Sequence, residues 1–521
     1  MSTETEVQSP DSGDMAAKGV VVASMTFLSR VSGFVRDVML SYFLGATDLA
    51  DAFFVAFRIP NFFRRLFAEG AFNQAFVPVL ARYKKQSADE LKLFVAVMAG
   101  NLGLVVALVV LVGVLFSEVL VALFAPGFWG VSEQFELATD MVRITFPYLG
   151  FIALTAFAGA VLNTHQRFAV PAFTPVLLNL TLIAAMVIAA ATTQNMVFAL
   201  AWGVFAAGVV QLLFQAPSMA RLELLVVPRV SRSHEGAQQV GRLLVPAVLA
   251  ASVGQINSLI DTMLASMLIT GSISWLYYAD RLLELPIGLV AVALGTVLLP
   301  NLSRIADSGD ARAFAATIDW GMRTGLVLAI PASVALFLLA DPLIATIFYH
   351  GVLTVLDVSM AALALKAFAV GAVAMVLVKV LAPAFFAHQD TRTPLRYASL
   401  SVATNVVLNL SFFWWFGHVG LAFATAIAAW VHLWLLYHGV IDRGYFQPGV
   451  RFKQSAVASL VAVVVMGVVL SAITPSAGFW VLVSTVERVA WLTGLVVAGG
   501  VVYLATLTVW GFNLRTLRHH V

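Results

Sequence analysis

Apolar blocks, each near the roughly 20 residues that a helix needs to cross a bilayer, follow one another along the whole of this 521-residue chain. Only short polar connections separate them, the longest about 20 residues each, near 117–137, 220–240 and 341–358. In hydrocarbon every backbone N–H and C=O must be satisfied internally, which leaves helices or a closed barrel. The alternating strands of about 10 residues that build a membrane barrel do not occur here. The expectation is an all-α polytopic membrane protein. With no room for a large extramembrane domain, an enzyme with a catalytic domain outside the bilayer is excluded. Composition agrees: 11% of residues are charged, against about 25% in soluble domains.

Fourteen spans are predicted, at 18–44, 49–81, 91–116, 138–162, 168–191, 196–219, 241–269, 274–301, 313–340, 359–386, 395–414, 418–440, 454–473 and 485–511. The loops test that count, because cytoplasmic loops collect Lys and Arg. With the N-terminus inside, nineteen basic residues fall in inside segments, among them Lys84, Lys85, Arg167, Arg221, Arg304 and Arg443. The outside loops hold none and carry Asp48, Glu118, Glu133 and Glu136 instead. Both termini are therefore expected in the cytoplasm. Residues 1–17 read as a disordered cytoplasmic extension; their acidic start lacks the basic region of a signal peptide, and Met15 offers a second start. The net charge of +3 comes from basic residues sorted by membrane side, so it is no nucleic-acid signal. The absence of cysteine rules out disulfides, thiolate catalysis and Cys-ligated metals.

The second and eighth spans end alike, in Val77-Pro78-Val79-Leu80-Ala81-Arg82 and Leu299-Pro300-Asn301-Leu302-Ser303-Arg304, 222 residues apart. Arg58 and Arg281 fall near matching places. This reads as two six-helix lobes in the same orientation, related by a pseudo-twofold along the membrane normal, plus two further helices. The expected organisation is an N-terminal lobe at 18–220, a cytoplasmic linker at 221–240 and a C-terminal lobe at 241–440. A cytoplasmic loop at 441–453, a last helix pair at 454–511 and a tail at 512–521 follow. Substrate sites of such proteins lie between the lobes, which rock to expose them alternately.

Five arginines sit in the first two spans: Arg30, Arg36, Arg58, Arg64 and Arg65. A charge at the bilayer centre costs at least about 2.5–3.5 kcal/mol, so such groups face a watery cavity or a partner. Asp51, Arg58 and Arg65 are seven apart and share one helix stripe. Arg65 and Glu69 stand at i,i+4 and can pair. Pro60 is expected to interrupt the helix and free the Ala56 carbonyl. Gly33, between Arg30 and Arg36, admits another backbone or a ligand. Snorkelling or ion pairs with Asp37, Asp51 and Glu69 would account for single arginines, yet five cations against three acids leave two in excess. Arg281, beside Asp280 and Glu284, adds another from the second lobe. Such a set wants an anion, and arginine's planar fork suits phosphate. The nine histidines show no ligand spacing, and the chain has no GxxxxGK[ST] loop for ATP.

The stretches Ser29-Arg30-Val31-Ser32-Gly33-Phe34-Val35-Arg36-Asp37, Asp51 to Asn61, Arg64 to Phe72 and Tyr277-Tyr278-Ala279-Asp280-Arg281-Leu282 resemble the MurJ (MviN) lipid II flippases. Gln74-Ala75-Phe76-Val77-Pro78 and Lys379-Val380-Leu381-Ala382-Pro383 match as well. That family belongs to the multidrug/oligosaccharidyl-lipid/polysaccharide exporter superfamily. The resemblance implies fourteen helices in two lobes plus a final pair, around a V-shaped cavity in the bacterial inner membrane. It implies carriage of the undecaprenyl-diphosphate disaccharide-pentapeptide, lipid II, from the cytoplasmic to the periplasmic leaflet by alternating access. The family's functional arginines match Arg30, Arg36, Arg64 and Arg281, and its functional aspartate matches Asp51; Arg65 and Glu69 complete the candidate substrate-binding set. The last two helices would hold the polyprenyl tail, although their Val, Leu, Ala and Gly content fits plain lipid contact equally. A sodium site in the C-terminal lobe would fall on Asp261, Asn405, Asn409 and Thr425. Asn409 stands where the family has a second carboxylate, and a hydrogen-bonded interhelical cluster is the competing reading. No other cofactor is implied. Implied partners are lipid II, membrane lipids and the peptidoglycan synthesis and division machinery, with no nucleic acid.

Outward movement of a dianion across an inside-negative potential is favourable by about 4–5 kcal/mol per 100 mV, from about 2.3 per charge. Membrane potential is thus a candidate energy source. A cation-coupled exporter of drugs or polysaccharide lipids is the alternative, against which the arginine excess speaks. A membrane glycosyltransferase would need an unencumbered acidic catalyst and a larger outer loop.

Overall fold

The computed structural model describes residues 12–67, 71–192 and 195–510. Among them there is no strand: eighteen α-helices and one short 3-10 helix carry the chain. They run α1 (Ser12–Leu44), α2 (Asp48–Phe67), α3 (Ala71–Lys84), α4 (Ala88–Leu115), α5 (Ser117–Phe124), α6 (Ser132–Thr145), α7 (Tyr148–Thr164), α8 (Ala169–Thr192) and α9 (Met196–Arg221). Then come α10 (Glu235–Ser266), α11 (Ser272–Ser308), α12 (Ala311–Leu338), α13 (Ala340–Phe348), α14 (Val355–Ala387), α15 (Arg392–Asp442), α16 (Val450–Ile473), α17 (Ala477–Leu482) and α18 (Thr485–Val509). Nine helical stretches among the described residues are long and apolar enough to cross a membrane. One of them, α15, is bent at Gly417, whose φ of 53° breaks a 51-residue run between the two spans expected there.

Polar side chains start these helices where the sequence places them. Ser87 accepts from the Glu90 N–H ahead of α4, and Asp310 from the Arg312 and Ala313 N–H groups ahead of α12. Thr354 with Asp357, and Ser484 with Glu487, form reciprocal capping boxes. The connections near 117–137 and 341–358 are not irregular loops, as expected, but hold α5 and α13, each resumed after a one-residue break in the preceding helix. Pro60 does not interrupt α2. The Ala56 carbonyl that its missing N–H leaves over is taken by the Thr145 hydroxyl of α6 at 3.0 Å.

The chain forms two compact units. The first takes residues up to 40, 52–124 and 130–255; the second takes 41–51, 125–129 and everything from 256 on. The division falls inside α10. Helix starts repeat between the units at a spacing of 223 residues: Ala88 and Ala311, Ser117 and Ala340, Ala169 and Arg392. Within the first unit, stacked Phe72, Phe76 and Phe94, with Phe157 tilted against Phe76, build an aromatic core. Residues 222–234 are bound down onto α4. There Asn101 exchanges two hydrogen bonds with the Ser231 backbone, and a Cβ on Gly100 would lie 2.3 Å from the Arg229 carbonyl oxygen. Within the second unit, α14 is the most enclosed helix and packs on α11, α12 and α15.

Candidate functional site

The first unit holds five of the expected anion-binding residues, in different states. Arg36 is buried, and its guanidinium is fully engaged. Nε and Nη2 donate to Asp37 at 3.0 and 2.6 Å, and Nη1 donates to Asn179 Oδ1 at 2.9 Å. The Phe57 ring lies 5.9 Å below it. Asn179, on α8, donates in turn to the Ser29 carbonyl and the Ser32 hydroxyl, both at 3.0 Å. A Cβ at Gly33 would sit 3.4 Å from the Asn179 amide nitrogen, at ordinary contact distance, so the Asn179 side chain packs directly over this position. The approaching group at Gly33 is thus a side chain of this protein. Asn179 was not singled out in the sequence; a lone amide in an apolar span was the signal available.

Arg64 is half-buried and donates from Nε to Asn61 at 3.1 Å, within its own helix. Arg58 is half-buried two residues before Pro60. Arg30 and Arg65 are exposed, and among the described residues neither has a side-chain hydrogen bond or ion pair. Glu69 lies outside the described residues. Five arginines thus stand on α1 and α2, and Asp37 is committed to one of them.

Asp51 is not available to offset the others. Its carboxylate lies buried in the second unit, where Oδ2 accepts from the Gly271 N–H at 2.8 Å. Oδ1 accepts from the Ser274 N–H at 2.9 Å and the Ser274 hydroxyl at 2.6 Å. Gly271, with φ of 92°, is the N-cap of α11 and has no side chain to offer. Asp51 supplies the missing cap, and its negative charge meets the positive end of a 37-residue helix. Asp48 accepts from the Thr270 hydroxyl at 2.6 Å beside it, and the Tyr278 hydroxyl donates to the Gly45 carbonyl at 2.6 Å. The tip 41–51 is thereby riveted to the start of α11.

Arg281, on the same helix, donates to Glu284 at 2.8 Å and lies over the Tyr277 ring at 4.8 Å. Asp261, Asn405, Asn409 and Thr425 come together. The Asn409 amide donates to Asp261 and to Asn405 Oδ1, both at 2.6 Å, and the Asn405 amide donates to Thr425 Oγ1 at 3.1 Å. Asn257, one turn before Asp261 and not singled out in the sequence, donates to its other oxygen at 3.4 Å. The Oδ1 atoms of Asn257 and Asn409 are buried without a hydrogen-bond partner. One carboxylate and a set of neutral oxygens, two of them orphaned, suit a hard monovalent cation. Among the described residues no cluster of three His, Cys, Asp or Glu side chains exists for a transition metal.

Along α12, α16 and α18 runs an apolar cavity of about 270 Å³, lined by Val327, Pro331, Met466, Leu470, Leu495 and Tyr503 among others. Tyr503 turns its hydroxyl away to the Val327 carbonyl at 2.9 Å. What remains is hydrocarbon surface.

The family model of lipid II flippase MurJ matches residues 40–491. A probable lipid II flippase MurJ of Vibrio cholerae is 42% identical over 508 residues, 96% of this chain and 97% of that protein. The lipid II flippase MurJ of Burkholderia cenocepacia is 39% identical over 507 residues, 96% and 98% of the two chains. Among solved structures, lipid II flippase MurJ in an inward closed conformation superposes with a TM-score of 0.79 at 26% identity, covering 94% of this chain and 98% of that one. An inward-facing multidrug transporter of the MATE family gives 0.66 at 15% identity over 82% and 98%, a likeness of fold alone.

Proposed function

The chain belongs to the lipid II flippase MurJ family, and from that premise we propose that it moves lipid II from the cytoplasmic to the periplasmic leaflet of a bacterial inner membrane. It is a transporter and not an enzyme. The observation that carries this reading is the family match, which runs through residues 40–491 and includes the arginine-bearing second helix.

Arg30, Arg64 and Arg65 in the first unit, and Arg281 in the second, engage the diphosphate. Arg30 and Arg65, exposed and without partners among the described residues, support this directly. Arg36 acts one step back: its forked bonds to Asp37 and Asn179 hold α1 against α8 so that Arg30 is presented. Asp51 contributes by fixing the α11 end rather than by touching the substrate, and Glu69 remains in the set through its i,i+4 spacing to Arg65. The polyprenyl tail lies in the cavity along α12, α16 and α18, which supports the lipid-tail reading of the last helix pair over bare lipid contact. Fourteen spans, both termini inside and two six-helix lobes complete the architecture, supported by the 223-residue repeat of helix starts. The synthesis and division machinery of peptidoglycan is the expected protein partner.

A sodium ion fits Asp261, Asn405, Asn409 and Thr425, whose one carboxylate and neutral side-chain oxygens are the ligands a hard cation takes. Membrane potential remains the proposed energy source for moving the diphosphate. The sodium reading predicts that the wild-type Tm rises when choline chloride is replaced by sodium chloride, as a ligand of the folded state requires. Asp261→Asn should abolish that difference, and a shift unchanged in the variant would refute the site.

The sidedness of the precursor tests the function. In cells depleted of the protein, an externally added enzyme that cleaves only outer-leaflet precursor should release less product while total precursor rises. Wild-type protein should restore cleavage and Arg64→Ala should not. An unchanged outer pool would mean that the protein carries something else.

A further inference from the structure

A second group of arginines unpartnered among the described residues lies in the first unit, on elements other than α2. A cavity of about 320 Å³ is lined by Val21 of α1, by Gln166, Arg167, Phe168, Ala169 and Val170 at the turn from α7 into α8, and by Ser218 and Arg221 at the end of α9. Two arginines from different elements therefore border one pocket. Both are exposed, and neither guanidinium has a hydrogen-bond or ion-pair partner among the described residues. The neighbouring basic residue is spent: Lys84 donates to the Thr164 carbonyl at the end of α7 at 2.8 Å. Gln166 is held at φ of 59°, a left-handed conformation unusual for a residue with a side chain. It turns the chain sharply before Arg167. The rest of the wall is apolar, with Ser218 the one hydroxyl.

We propose that this pocket binds the phosphate headgroup of an anionic phospholipid. Three features select that ligand. Two arginines line one cavity of about 320 Å³, and arginine grips phosphate through paired, charge-assisted bonds. The apolar wall of Val21, Phe168 and Val170 suits the first carbons of acyl chains and not a free, fully hydrated ion. The turn between α7 and α8 is a connection between two membrane-crossing helices, at the depth where headgroups lie, and with both termini inside it faces the cytoplasmic leaflet, where anionic lipid attracts basic side chains. The lipid would tie α1, α8 and α9 together at one end, a binding role separate from carriage.

The test uses the full-length protein in nanodiscs of phosphatidylcholine, with retention of added phosphatidylglycerol measured by mass spectrometry. Wild-type protein should retain it, in competition with salt. Arg167→Gln with Arg221→Gln should weaken retention about thirtyfold, from about fivefold per basic side chain near an anionic surface. Both residues are exposed, so the double variant should keep the wild-type Tm in phosphatidylcholine, and Arg64→Gln should keep full retention. Equal retention by the double variant would overturn the proposal. So would displacement of bound phosphatidylglycerol by inorganic phosphate at equal concentration, which would mark a free-phosphate site. Loss of binding of a lipid-linked diphosphate in the double variant, with phosphatidylglycerol unaffected, would assign the pocket to the transported substrate instead.

Discussion

The arginines of α1 divide by what their guanidinium groups touch. Arg36 reaches Asp37 with two nitrogens and Asn179 with a third, a geometry a lysine ammonium cannot reproduce. Arg30, six residues earlier, is exposed and has no side-chain partner among the described residues. Arg36→Lys and Asn179→Ala should therefore behave alike. Each leaves buried polar groups unsatisfied, costing about 1–3 kcal/mol per group, and each should lower the Tm of the purified protein. Arg30→Gln should leave the Tm unchanged and still abolish transport in the outer-leaflet cleavage assay. A fall in Tm for Arg30→Gln as large as for Asn179→Ala would refute the division. The cost of charge in a membrane made the arginines conspicuous in the sequence. Asn179 was not, because one amide in an apolar helix carries no such cost once it is bonded. The partners of Asp51 were equally out of reach, since Gly271 and Ser274 lie 220 and 223 residues away.

At the scale of helices, small residues decide how closely the apolar surfaces meet, because lipid tails supply no hydrophobic force between helices. On α14, a Cβ at Gly371 would fall 2.6 Å from Ala426 Cα on α15, a backbone atom that cannot step aside. On α12, a Cβ at Gly325 would meet the end of Leu377 at 3.0 Å, which can rotate. Gly371→Ala should thus cost about 1–3 kcal/mol, the usual range for overpacking, and lower the Tm. Gly325→Ala should cost less than Gly371→Ala in the same melting experiment. Equal losses would mean that the Ala426 backbone gives way as readily as the Leu377 side chain. The helices themselves were legible because a span needs a long apolar window and the loops carry the charge bias. The bend in α15 was legible too, since the break between the spans at 395–414 and 418–440 contains Gly417, the residue that takes the positive φ. What could not be read was that 117–124 and 340–348 would continue as helices, because a short apolar stretch beside a span has no periodicity of its own.

For the molecule as a whole, the charge bias of the loops predicts which side each connection faces, and the chain is suited to a direct test. It contains no cysteine, so an introduced thiol is the only one to react. Three exposed glycines accept a side chain without contact: a Cβ at Gly130, Gly449 or Gly478 meets nothing within 4 Å. In the fourteen-span arrangement Gly130 follows the third crossing, Gly449 the twelfth and Gly478 the thirteenth. The first and last of these are odd, so with the N-terminus inside, Gly130 and Gly478 face the periplasm and Gly449 the cytoplasm. A membrane-impermeant maleimide should label Gly130→Cys and Gly478→Cys in spheroplasts and label Gly449→Cys only after lysis. The pattern is demanding because nine crossings separate the first pair and one separates the second. A missed or surplus span between 130 and 449 would make those two positions label together, whereas an inverted chain would exchange all three results. Labelling of Gly130→Cys as expected would also support a cytoplasmic position for Arg167, since the turn between α7 and α8 lies one crossing beyond Gly130.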